Sequence, residues 1–455
     1  MTVTLARWIP NDSSLAGLAE LFEPAGAKVL AAEIAQEATG SPVDADAGEL
    51  CYVKYKPTRH CIVQWAFPTP SGQPLLVSAT LSSGSQGADV ASDPAFRRQA
   101  ETLKAGANGG SELYRYLPER RLFFQLFPLD SGLPGLPLAA SGLWATAALA
   151  HALGLSPGTI RIADITPVAY NPWNRWVVRY TVVENGLTRQ YYAKMFRDDR
   201  GQTMSAVLRS VWERLTAGGA SWRIPAPLAF IPEARMLVLE ALESATDARS
   251  LLRQAAGDPR ARQKAREVFE RTAGGMVQFQ KATVEGLPVM TARALLLYYE
   301  KKINRVARVS PELADSIRAQ LSCLEAEACR LPTEPMVLCH GAFRHTHVLL
   351  CGEKLGLVDL DNLRLSGASA DAGDFLAYLD RVALRQPAQR PIIGELETVF
   401  VAALRRHRSI DRRWLAWHRS AAHVKWALRS FHSLSSKGGG PVEDLAALRA
   451  GFETC

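Results

Sequence analysis

MVLCHGAFRHTHVLLCGEKLGLVDLDNL, residues Met336–Leu363, is the stretch from which the fold is predicted. Short apolar runs in it predict three strands, which are Met336–Cys339, Val348–Cys351 and Leu355–Val358. A polar loop that opens with His340-Gly341 follows the first strand, and the third strand ends at Asp359-Leu360-Asp361. A strand–loop–strand–turn–strand unit of this kind places a polar loop beside a pair of carboxylates.

The composition is that of an ordinary globular protein with an excess of positive charge. The chain has 455 residues, which is enough for two or three domains, and it is 47% hydrophobic and 22% charged. No run of apolar residues is long enough to span a membrane, and the N-terminus lacks the layout of a signal peptide. Seven scattered cysteines indicate a reducing cytoplasm. The net charge of +8 favours an anionic partner such as a nucleotide, and nucleic-acid binding is not expected.

The hydrophobic pattern predicts an α+β chain whose β-rich part comes first. Strands are predicted in two successive blocks, at Leu50–Lys56, Cys61–Phe67, Leu75–Leu81 and Arg121–Phe127, and then at Ala169–Asn171, Trp176–Val182, Gln190–Phe196 and Met236–Leu239. The Gly/Pro-rich segment Asp130–Pro137 is a natural linker. Beyond Leu242 the pattern predicts helices at Val268–Ala282, Ala292–Val306, Pro311–Cys329, Asp374–Arg385, Ile392–Arg406 and Arg412–Ser433. We therefore predict domains at 1–140, 141–242 and 243–455.

The two β-rich blocks align with each other. YKPTRHCIVQW from Tyr55 matches YNPWNRWVVRY from Tyr170, and two further matches follow downstream at nearly the same offset of 114 or 115 positions. Such constancy predicts a duplicated unit, although two half-buried antiparallel sheets can also resemble each other by chance. Thr80 aligns with Lys194, so the first unit is interpreted as a degenerate copy without a phosphate-binding role.

Lys194 and the Asp359/Asp361 pair are the residues that indicate chemistry. Lys194 lies among apolar residues on a predicted central strand, where an ammonium group needs a partner, and Glu213 on the following helix is the predicted one. A lysine so placed can bridge nucleotide phosphates, and two carboxylates suit Mg²⁺. The turn Asn171–Arg175, with Asn174 and Arg175, is the predicted cover of the phosphates, because no G-x-x-x-x-G-K motif occurs.

These motifs resemble the aminoglycoside phosphotransferase and choline kinase group, including maltokinase-like members that have an extra N-terminal domain. The resemblance covers about residues 160–380 and depends on YYAKMF, LCHGAF…HVLL, GLVDLD and DAGDFLAYL. It implies a two-lobed protein-kinase-like fold that uses ATP and Mg²⁺ to phosphorylate a small-molecule hydroxyl. It further implies that Lys194 and Glu213 hold the nucleotide phosphates, and that the hinge against adenine is formed by Leu239, Glu240, Ala241 and Leu242. His340 then braces the catalytic loop, Asp359 binds Mg²⁺ and Asp374 is structural.

The chain departs from this family at the centre of the loop. Ala342 stands where the catalytic aspartate belongs, and His347 stands where a metal-binding asparagine belongs. Phosphoryl transfer depends mostly on positioning and charge neutralisation, so a replacement base among His345, His347 and Asp361 is one expectation. The alternative is a pseudokinase that binds a nucleotide, or a protein partner through the N-terminal domain, without turnover.

Two further interpretations of the sequence remain open. Zinc binding is suggested by a cluster of thiols and imidazoles, Cys339, His340, His345, His347 and Cys351, although its spacing matches no known finger. The basic run Arg405–Arg413 is interpreted as a solvated helix end and loop. In the family the late helices shape the acceptor site, which makes Trp414, Trp417, His418 and His423 acceptor-side candidates.

Overall fold

A computed structural model describes residues 9–23, 26–70, 72–106, 112–156, 158–219, 222–242 and 246–434. The first part is a five-stranded antiparallel sheet of order β1-β2-β3-β5-β4, with helices against it. Its elements are α1 (Ala27–Thr39), β1 (Glu49–Lys56), β2 (His60–Phe67), β3 (Leu75–Ser82), α2 (Gln86–Ser92), α3 (Pro94–Gly106), β4 (Tyr114–Leu117) and β5 (Leu122–Leu126).

A second five-stranded antiparallel sheet follows, with the order β10-β11-β8-β7-β6. Its strands are connected in the same succession as those of the first sheet, so that β3 corresponds to β8 and β5 to β11. The elements of this part are α4 (Leu136–Ala139), α5 (Gly142–Ala152), β6 (Ile160–Asn171), β7 (Arg175–Glu184), β8 (Leu187–Phe196), α6 (Arg200–Ala217), β9 (Trp222–Arg223), β10 (Pro227–Ile231) and β11 (Met236–Glu240).

The remaining residues form a mainly helical lobe with two small sheets, of orders β12-β15-β16-β9 and β13-β17-β14. Its elements are β12 (Thr246–Asp247), α7 (Ala248–Ala255), α8 (Pro259–Phe279), β13 (Val289–Met290), α9 (Ala292–Val306), α10 (Pro311–Ala328), β14 (Met336–Cys339), β15 (Val348–Cys351), β16 (Lys354–Leu357), β17 (Arg364–Gly367), α11 (Ala370–Arg385), α12 (Arg390–His407) and α13 (Arg412–Ser433).

Most predicted helices and strands overlap these elements, and α9 and α13 agree to the residue. The order of the elements confirms the predicted α+β fold with a β-rich lobe and a helical lobe. Several details differ. The predicted strand Ala169–Asn171 covers only the end of β6, α8 begins nine residues before the predicted Val268, and α7 was not predicted. The helical lobe contains more β-structure than its one predicted cluster, because β13 and β17 also form a sheet with β14. The prediction also missed α5, an alanine-rich helix that packs beside β6.

The hydrophobic cores cross the predicted boundary at residue 140. One core joins the buried face of the first sheet, with Val63 and Val77, to apolar residues of α9, α10 and α13, such as Ile303 and Phe431. A separate core fills the helical lobe around α8, α11 and α12 and extends to α6 and β11. The first sheet is therefore packed against the last helix of the chain, and the three-domain division stays a prediction.

Among the described residues, no helix combines the length and the apolar composition that crossing a bilayer requires.

Candidate functional site

A cleft of about 320 Å³ lies between the second sheet and the helical lobe. Its inner walls are apolar and come from both sides, with Val177 and Leu239 on the sheet and Leu349 and Val358 on the lobe. One end of the cleft is polar, since it is formed by Lys194 and other charged residues, which are Arg175, Asp359 and Asp361. An apolar pocket that ends in convergent charges is suited to a ligand with a flat apolar part and an anionic tail.

Four charged side chains meet at that polar end. The Lys194 Nζ atom lies 2.7 Å from Oδ1 of Asp361 and 3.3 Å from Oδ1 of Asp359. The Arg175 guanidinium donates a hydrogen bond of 2.6 Å to Oδ2 of Asp361, and it lies 3.6 Å from Asp359. The two cations thus offset the repulsion between two carboxylates that are close in sequence and in space. Lys194, whose side chain is only 12% exposed, has the partners that a buried ammonium requires.

Asp359 is held in an unusual state in both its backbone and its charge. Its φ of +65° lies in the left-handed region, which residues other than glycine rarely adopt. Burial alone would raise the pKa of Asp359, but Lys194 and Arg175 outweigh this effect and hold that pKa well below its ordinary value. The carboxylate is therefore ionised at neutral pH and fixed in the cleft.

The loop after β14 is attached to the rest of the lobe by His340 and Asp371. The ring Nε2 of His340 donates to the Val358 carbonyl at 3.0 Å, which connects the loop to the residue before Asp359. The Asp371 carboxylate accepts from the backbone N–H groups of His340 and Gly341, at 2.8 and 3.0 Å. Gly341 has a φ of +77°, and a Cβ there would lie 2.2 Å from the Asn362 carbonyl oxygen, so only glycine fits.

The role of Asp371 is one that the sequence did not indicate, because Asp374 was the predicted structural aspartate. Asp374 does have a structural contact, an ion pair with Lys425 on α13. Asp371 lies one helical turn earlier and points at the loop instead. Asp371 and Asp374 are three residues apart on α11 and therefore lie on the same side of the helix. The sequence alone does not show which of them contacts the loop after β14.

Arg344 contacts His347, the loop residue that the sequence suggests as a metal ligand or a replacement base. Its guanidinium Nη2 lies 2.6 Å from Nε2 of His347, which accepts the hydrogen bond, and 3.8 Å from Oδ2 of Asp359. The same guanidinium lies over the rings of Tyr378 and Trp426. Burial, and then the charge of Arg344, hold the pKa of His347 far below its ordinary value. His347 is therefore neutral, and its Nε2 lies 3.4 Å from Oδ2 of Asp359.

His345 does not reach the cleft. Its ring is 2% exposed and packs against Tyr378, at a centroid distance of 5.3 Å. Burial lowers the pKa of His345 to about 3, with smaller contributions from Arg249 and Arg344. The expectation that His345 acts as a base is wrong on this geometry, because the ring faces the interior of the lobe.

Glu213 does not pair with Lys194, and this prediction is also wrong. The buried positions of α6 are Gly201, Ser205, Leu208, Val211 and Leu215. Glu213 is two residues from Val211, which at 100° per residue puts it on the opposite, exposed face of the helix. In the described part of α6 no carboxylate faces the cleft, and Lys194 pairs with Asp359 and Asp361 instead.

The predicted hinge lies at the apolar cleft, whereas the predicted phosphate cover lies mainly at a second cleft. Glu240 and Leu242 line the apolar cleft, and Ala241 lies between them. The N–H of Glu240 donates to the Ala226 carbonyl, and its carboxylate accepts from the Ala226 N–H and contacts Arg223. Asn174 does not line this cleft. It lies in the wall of a second, basic cleft, and Arg175 lines both clefts.

The sulfur and nitrogen atoms of the suggested zinc cluster are dispersed. In the ranges described above, no three His, Cys, Asp or Glu side chains come together in a way that would hold a metal. Cys339 is buried against the backbone carbonyl of Gly367, and Cys351 lies at the end of a hairpin strand. A buried thiol in an apolar strand is ordinary packing.

The four predicted acceptor-side residues of α13 make contacts within the protein. Trp414 and Trp417 donate their indole N–H groups to the carbonyls of Pro332 and Leu324. His418 contacts the Glu334 carboxylate at 2.9 Å, and His423 contacts that of Asp380 at 2.8 Å. Each of these side chains is largely buried with its polar atom paired, and none of them lines the apolar cleft or the basic cleft, so contact with an acceptor stays a prediction.

The residues present fit a nucleotide with a divalent cation. The ionised Asp359 supplies the carboxylate oxygens that Mg²⁺ prefers, while Lys194 and Arg175 supply charge for phosphates. His347, whose Nε2 is occupied by Arg344, is the weakest of the predicted metal ligands. The apolar walls of the cleft suit an adenine ring.

A kinase-like phosphotransferase is the class of protein that this fold and cleft define. The model of the phosphotransferase enzyme family matches residues 164–418, more than half of the chain, and the chain belongs to that family. The match begins within β6 and ends in α13, so it includes the cleft and the loop but not the first sheet. None of the curated proteins matches the chain.

Among solved structures, the chain is similar to small-molecule kinases at low identity. Choline kinase from Cryptosporidium parvum Iowa II is 11% identical with a TM-score of 0.48, and the match covers 66% of this chain and 90% of that one. Choline kinase LicA from Streptococcus pneumoniae is 14% identical with a TM-score of 0.45 and coverages of 65% and 94%. Macrolide 2'-phosphotransferase MphH from Brachybacterium faecium is 16% identical with a TM-score of 0.41 and coverages of 67% and 96%. At these values the similarities carry no conclusion about the substrate.

Proposed function

We propose that the chain is a kinase that transfers the γ-phosphoryl group of ATP, with Mg²⁺, to a hydroxyl group of a small molecule. The observation that carries this proposal is the meeting of Lys194 with Asp359 and Asp361 at the polar end of an apolar cleft. Membership of the phosphotransferase enzyme family supports it. Mg²⁺, when bound by the Asp359 carboxylate, would neutralise charge on the phosphates.

In the proposed reaction the chain's own residues hold the reactants and accept one proton. Lys194 and Arg175 bind phosphate oxygens, while the cleft walls at Val177 and Leu239 hold the adenine ring and exclude water. The acceptor oxygen forms a bond to the γ-phosphorus, and the bond from that phosphorus to the bridging oxygen breaks to release ADP. The hydroxyl proton passes to the carboxylate of Asp361.

Asp361 is the proposed base because of its location. It lines both the apolar cleft and the basic cleft, and it is the only carboxylate that lines both of these described clefts. Ala342 cannot accept a proton, His345 faces the interior, and the single lone pair of His347 Nε2 is engaged by Arg344. Both oxygens of Asp361 also accept from a cation, but each carboxylate oxygen keeps a second lone pair that can take a proton. A general base typically raises the rate about 10²–10⁴-fold. Whether turnover is measurable therefore depends on whether Asp361 can replace the missing aspartate as the base.

A pseudokinase is the second candidate, and the observation that favours it is the Arg344–His347 contact beside Ala342. That contact puts a guanidinium 3.8 Å from Asp359, in the region from which a base would act. A nucleotide could then bind beside Lys194 without being consumed.

Thermal unfolding and ATP consumption of the full-length protein separate these candidates. ATP with Mg²⁺ is expected to raise the melting temperature of the wild type, and Asp359→Ala is expected to abolish this shift. Absence of any ATP-dependent shift in the wild type contradicts both candidates. Asp361→Asn should retain the shift and lower ATP consumption by about 10²-fold or more.

The variant Ala342→Asp, which restores the usual base, is the comparison that identifies a pseudokinase. If the wild type binds ATP without consuming it and Ala342→Asp gains turnover, the pseudokinase function is correct. If the wild type turns over and Asp361→Asn does not, the kinase function is correct and Asp361 is its base.

A further inference from the structure

A second cleft, of about 570 Å³, opens beside the polar end of the apolar cleft. It lies where the first sheet, the β6–β7 turn and the helical lobe meet. Arg175 and Asp361 line both clefts, so a ligand in the second cleft would adjoin the phosphate end of a nucleotide in the first. This is the location that an acceptor would need.

The walls of this basic cleft carry positive charge from every side. Eight lysine and arginine side chains line it, against one carboxylate, that of Asp361. Lys54, Lys56 and Arg59 come from the first sheet, while Lys302 and Arg305 come from α9. Segments more than 200 residues apart in the chain therefore converge with the same sign of charge.

Most of these cations have no carboxylate partner among the described residues. Within the described ranges, the first-sheet residues Lys54, Lys56 and Arg59 make no ion pair, and neither does Arg305 on α9. Lys302 lies over the Tyr298 ring at 4.4 Å, and Arg429 over that of Trp426 at 5.0 Å, so both face aromatic rings rather than carboxylates. Of the eight, Arg175 pairs with Asp359 and Asp361, and Arg200 pairs with Asp198.

Burial and the neighbouring cations both act against protonation of the lysines in this cleft. Burial, and then the charges of Lys54, Arg59, Arg197 and Arg305, lower the pKa of Lys56 to about 8. Burial and nearby arginines also lower the pKa of Lys54. Like charges that are held together without a partner destabilise the fold unless an anion relieves them.

We propose that this cleft binds the acceptor, and that the acceptor is a hydroxyl-bearing small molecule that already carries a phosphate group. The proposal rests on the proposed kinase function, because it names the substrate class of that reaction. The acceptor's phosphate lies among Lys54, Lys56, Arg59 and Arg305, and its hydroxyl faces Asp361 at the inner end. Its hydroxyl oxygen bonds to the γ-phosphorus of ATP, ADP leaves, and the proton passes to Asp361.

Binding of matched sugars to the full-length protein tests the charge requirement. The probes are glucose 6-phosphate as the anion, glucose as the neutral compound and glucosamine as the cation, each with and without ATP and Mg²⁺. Glucose 6-phosphate is expected to bind, and glucose and glucosamine to bind at least about tenfold more weakly. Equal or tighter binding of glucosamine, or no binding of glucose 6-phosphate, overturns the proposal.

Charge-reversed variants locate the binding to this cleft. Arg59→Glu and Arg305→Glu change exposed residues, so they should fold, and each is expected to weaken glucose 6-phosphate binding roughly tenfold at 0.15 M salt. Lys301→Glu is the matched control, since Lys301 is exposed on the same helix as Arg305 but does not line the cleft. An effect of Lys301→Glu as large as that of Arg305→Glu also overturns the proposal.

Nucleotide affinity distinguishes this proposal from the kinase proposal. Arg59→Glu and Arg305→Glu should leave the ATP-dependent shift of melting temperature unchanged, because neither residue lines the apolar cleft. If ATP binds to the wild type and glucose 6-phosphate does not, the acceptor proposal alone fails. If ATP does not bind to the wild type, the proposed function fails.

Discussion

The two five-stranded sheets have the same strand succession and the same anchored turn, yet of the two only the second lines the apolar cleft. In the first sheet, Oδ2 of Asp12 accepts from the hydroxyl of Tyr55 at 2.8 Å and from the N–H of Thr58 at 2.7 Å. In the second sheet, Oδ2 of Asp130 accepts from the hydroxyl of Tyr170 at 2.7 Å and from the N–H of Trp173 at 2.9 Å.

The backbone repeats as well. Thr58 and Trp173 both have a positive φ, of 59° and 63°, and so do Arg121 and Arg235, of 50° and 46°. The sheets therefore share their bends as well as their strand order. Duplication explains this agreement most directly, and it stays an interpretation of the geometry.

The sheets differ in what covers the face that bears Thr80 or Lys194. Thr80 pairs with Phe123, and this face is sealed by an aromatic cluster to which Trp173, from the other sheet, belongs. Lys194 pairs with Leu237, and its face opens to Asp359 and Asp361. The comparison teaches that strand order alone does not make the proposed phosphate site. The proposed site needs a cation at this position, an open cleft and carboxylates from another lobe.

Removing the lysine should have the largest effect. Lys194→Met keeps the length of the side chain but removes the charge that meets the phosphates, and we expect turnover to fall by about 10²–10³-fold. Thr80→Val is the matched change in the first sheet, and it should leave ATP consumption at the wild-type rate. The comparison breaks if Thr80→Val lowers turnover as much as Lys194→Met does.

Adding a lysine to the first sheet should harm the fold without creating a site. Thr80→Lys would bury an ammonium beside Phe123 with no carboxylate, and we expect the free energy of unfolding to fall by about 3 kcal/mol. Urea unfolding measures this loss, and Thr80→Val is again the control. A stable Thr80→Lys variant with a second ATP-binding event would show that strand position alone is sufficient.

Removing the two turn anchors should separate the roles of the sheets. Asp12→Ala and Asp130→Ala each leave a tyrosine hydroxyl and a turn N–H without their acceptor, at a cost of about 2 kcal/mol in the free energy of unfolding. Asp46→Ala, at a side chain that is 96% exposed, should change it by less than about 0.5 kcal/mol.

Each of these two variants should weaken the binding of a different ligand. Asp130 holds the turn that precedes Arg175, so Asp130→Ala is expected to weaken ATP binding. Asp12 holds the turn that precedes Arg59, so Asp12→Ala is expected to weaken glucose 6-phosphate binding and to spare ATP. Loss of both affinities in both variants would mean that the sheets do not act separately.

Local sequence patterns predicted the fold and the centre of the site. Alternation and helical spacing predicted most strands and helices, and apolar flanks distinguished Lys194 and Asp359 from surface charges. The error at Glu213 was avoidable, because Leu208, Val211 and Leu215 already define the buried face of α6. The distance of Glu213 from Lys194 along the chain does not say which face of the helix the glutamate occupies.

The remaining features depend on contacts between distant segments, which a single sequence does not encode locally. Asp371 reaches the loop from α11, and Arg344 turns inward onto the ring of Trp426, on a helix 80 residues away. The basic cleft joins β1 to α9, although each segment alone looks like an ordinary charged surface. The tertiary fold brings these charges together, and no local sequence pattern indicates that it does.

The smallest expected effect concerns pH and the basic cleft of the first sheet. Lys56 loses its proton near pH 8, whereas an unfolded lysine does so near 10.5. Between these values the unfolded chain binds the proton that the folded chain has released, so this group makes stability rise with pH. Over the same range the cleft loses one positive charge.

Binding of glucose 6-phosphate should therefore weaken roughly fivefold between pH 7.5 and 9.5, the equivalent of about 1 kcal/mol for one charge near the phosphate. The ligand does not titrate there, because a phosphate monoester is already dianionic above its second pKa of about 6. The facing groups are Lys54, Arg59, Arg197, Arg305, Lys302, Arg429 and His432. Burial, more than nearby charge, lowers the pKa of His432 to about 4, so it is neutral throughout. Lys56→Met should bind more weakly at pH 7.5 and show a flatter profile, and a profile as steep as that of the wild type would assign the titration to another group.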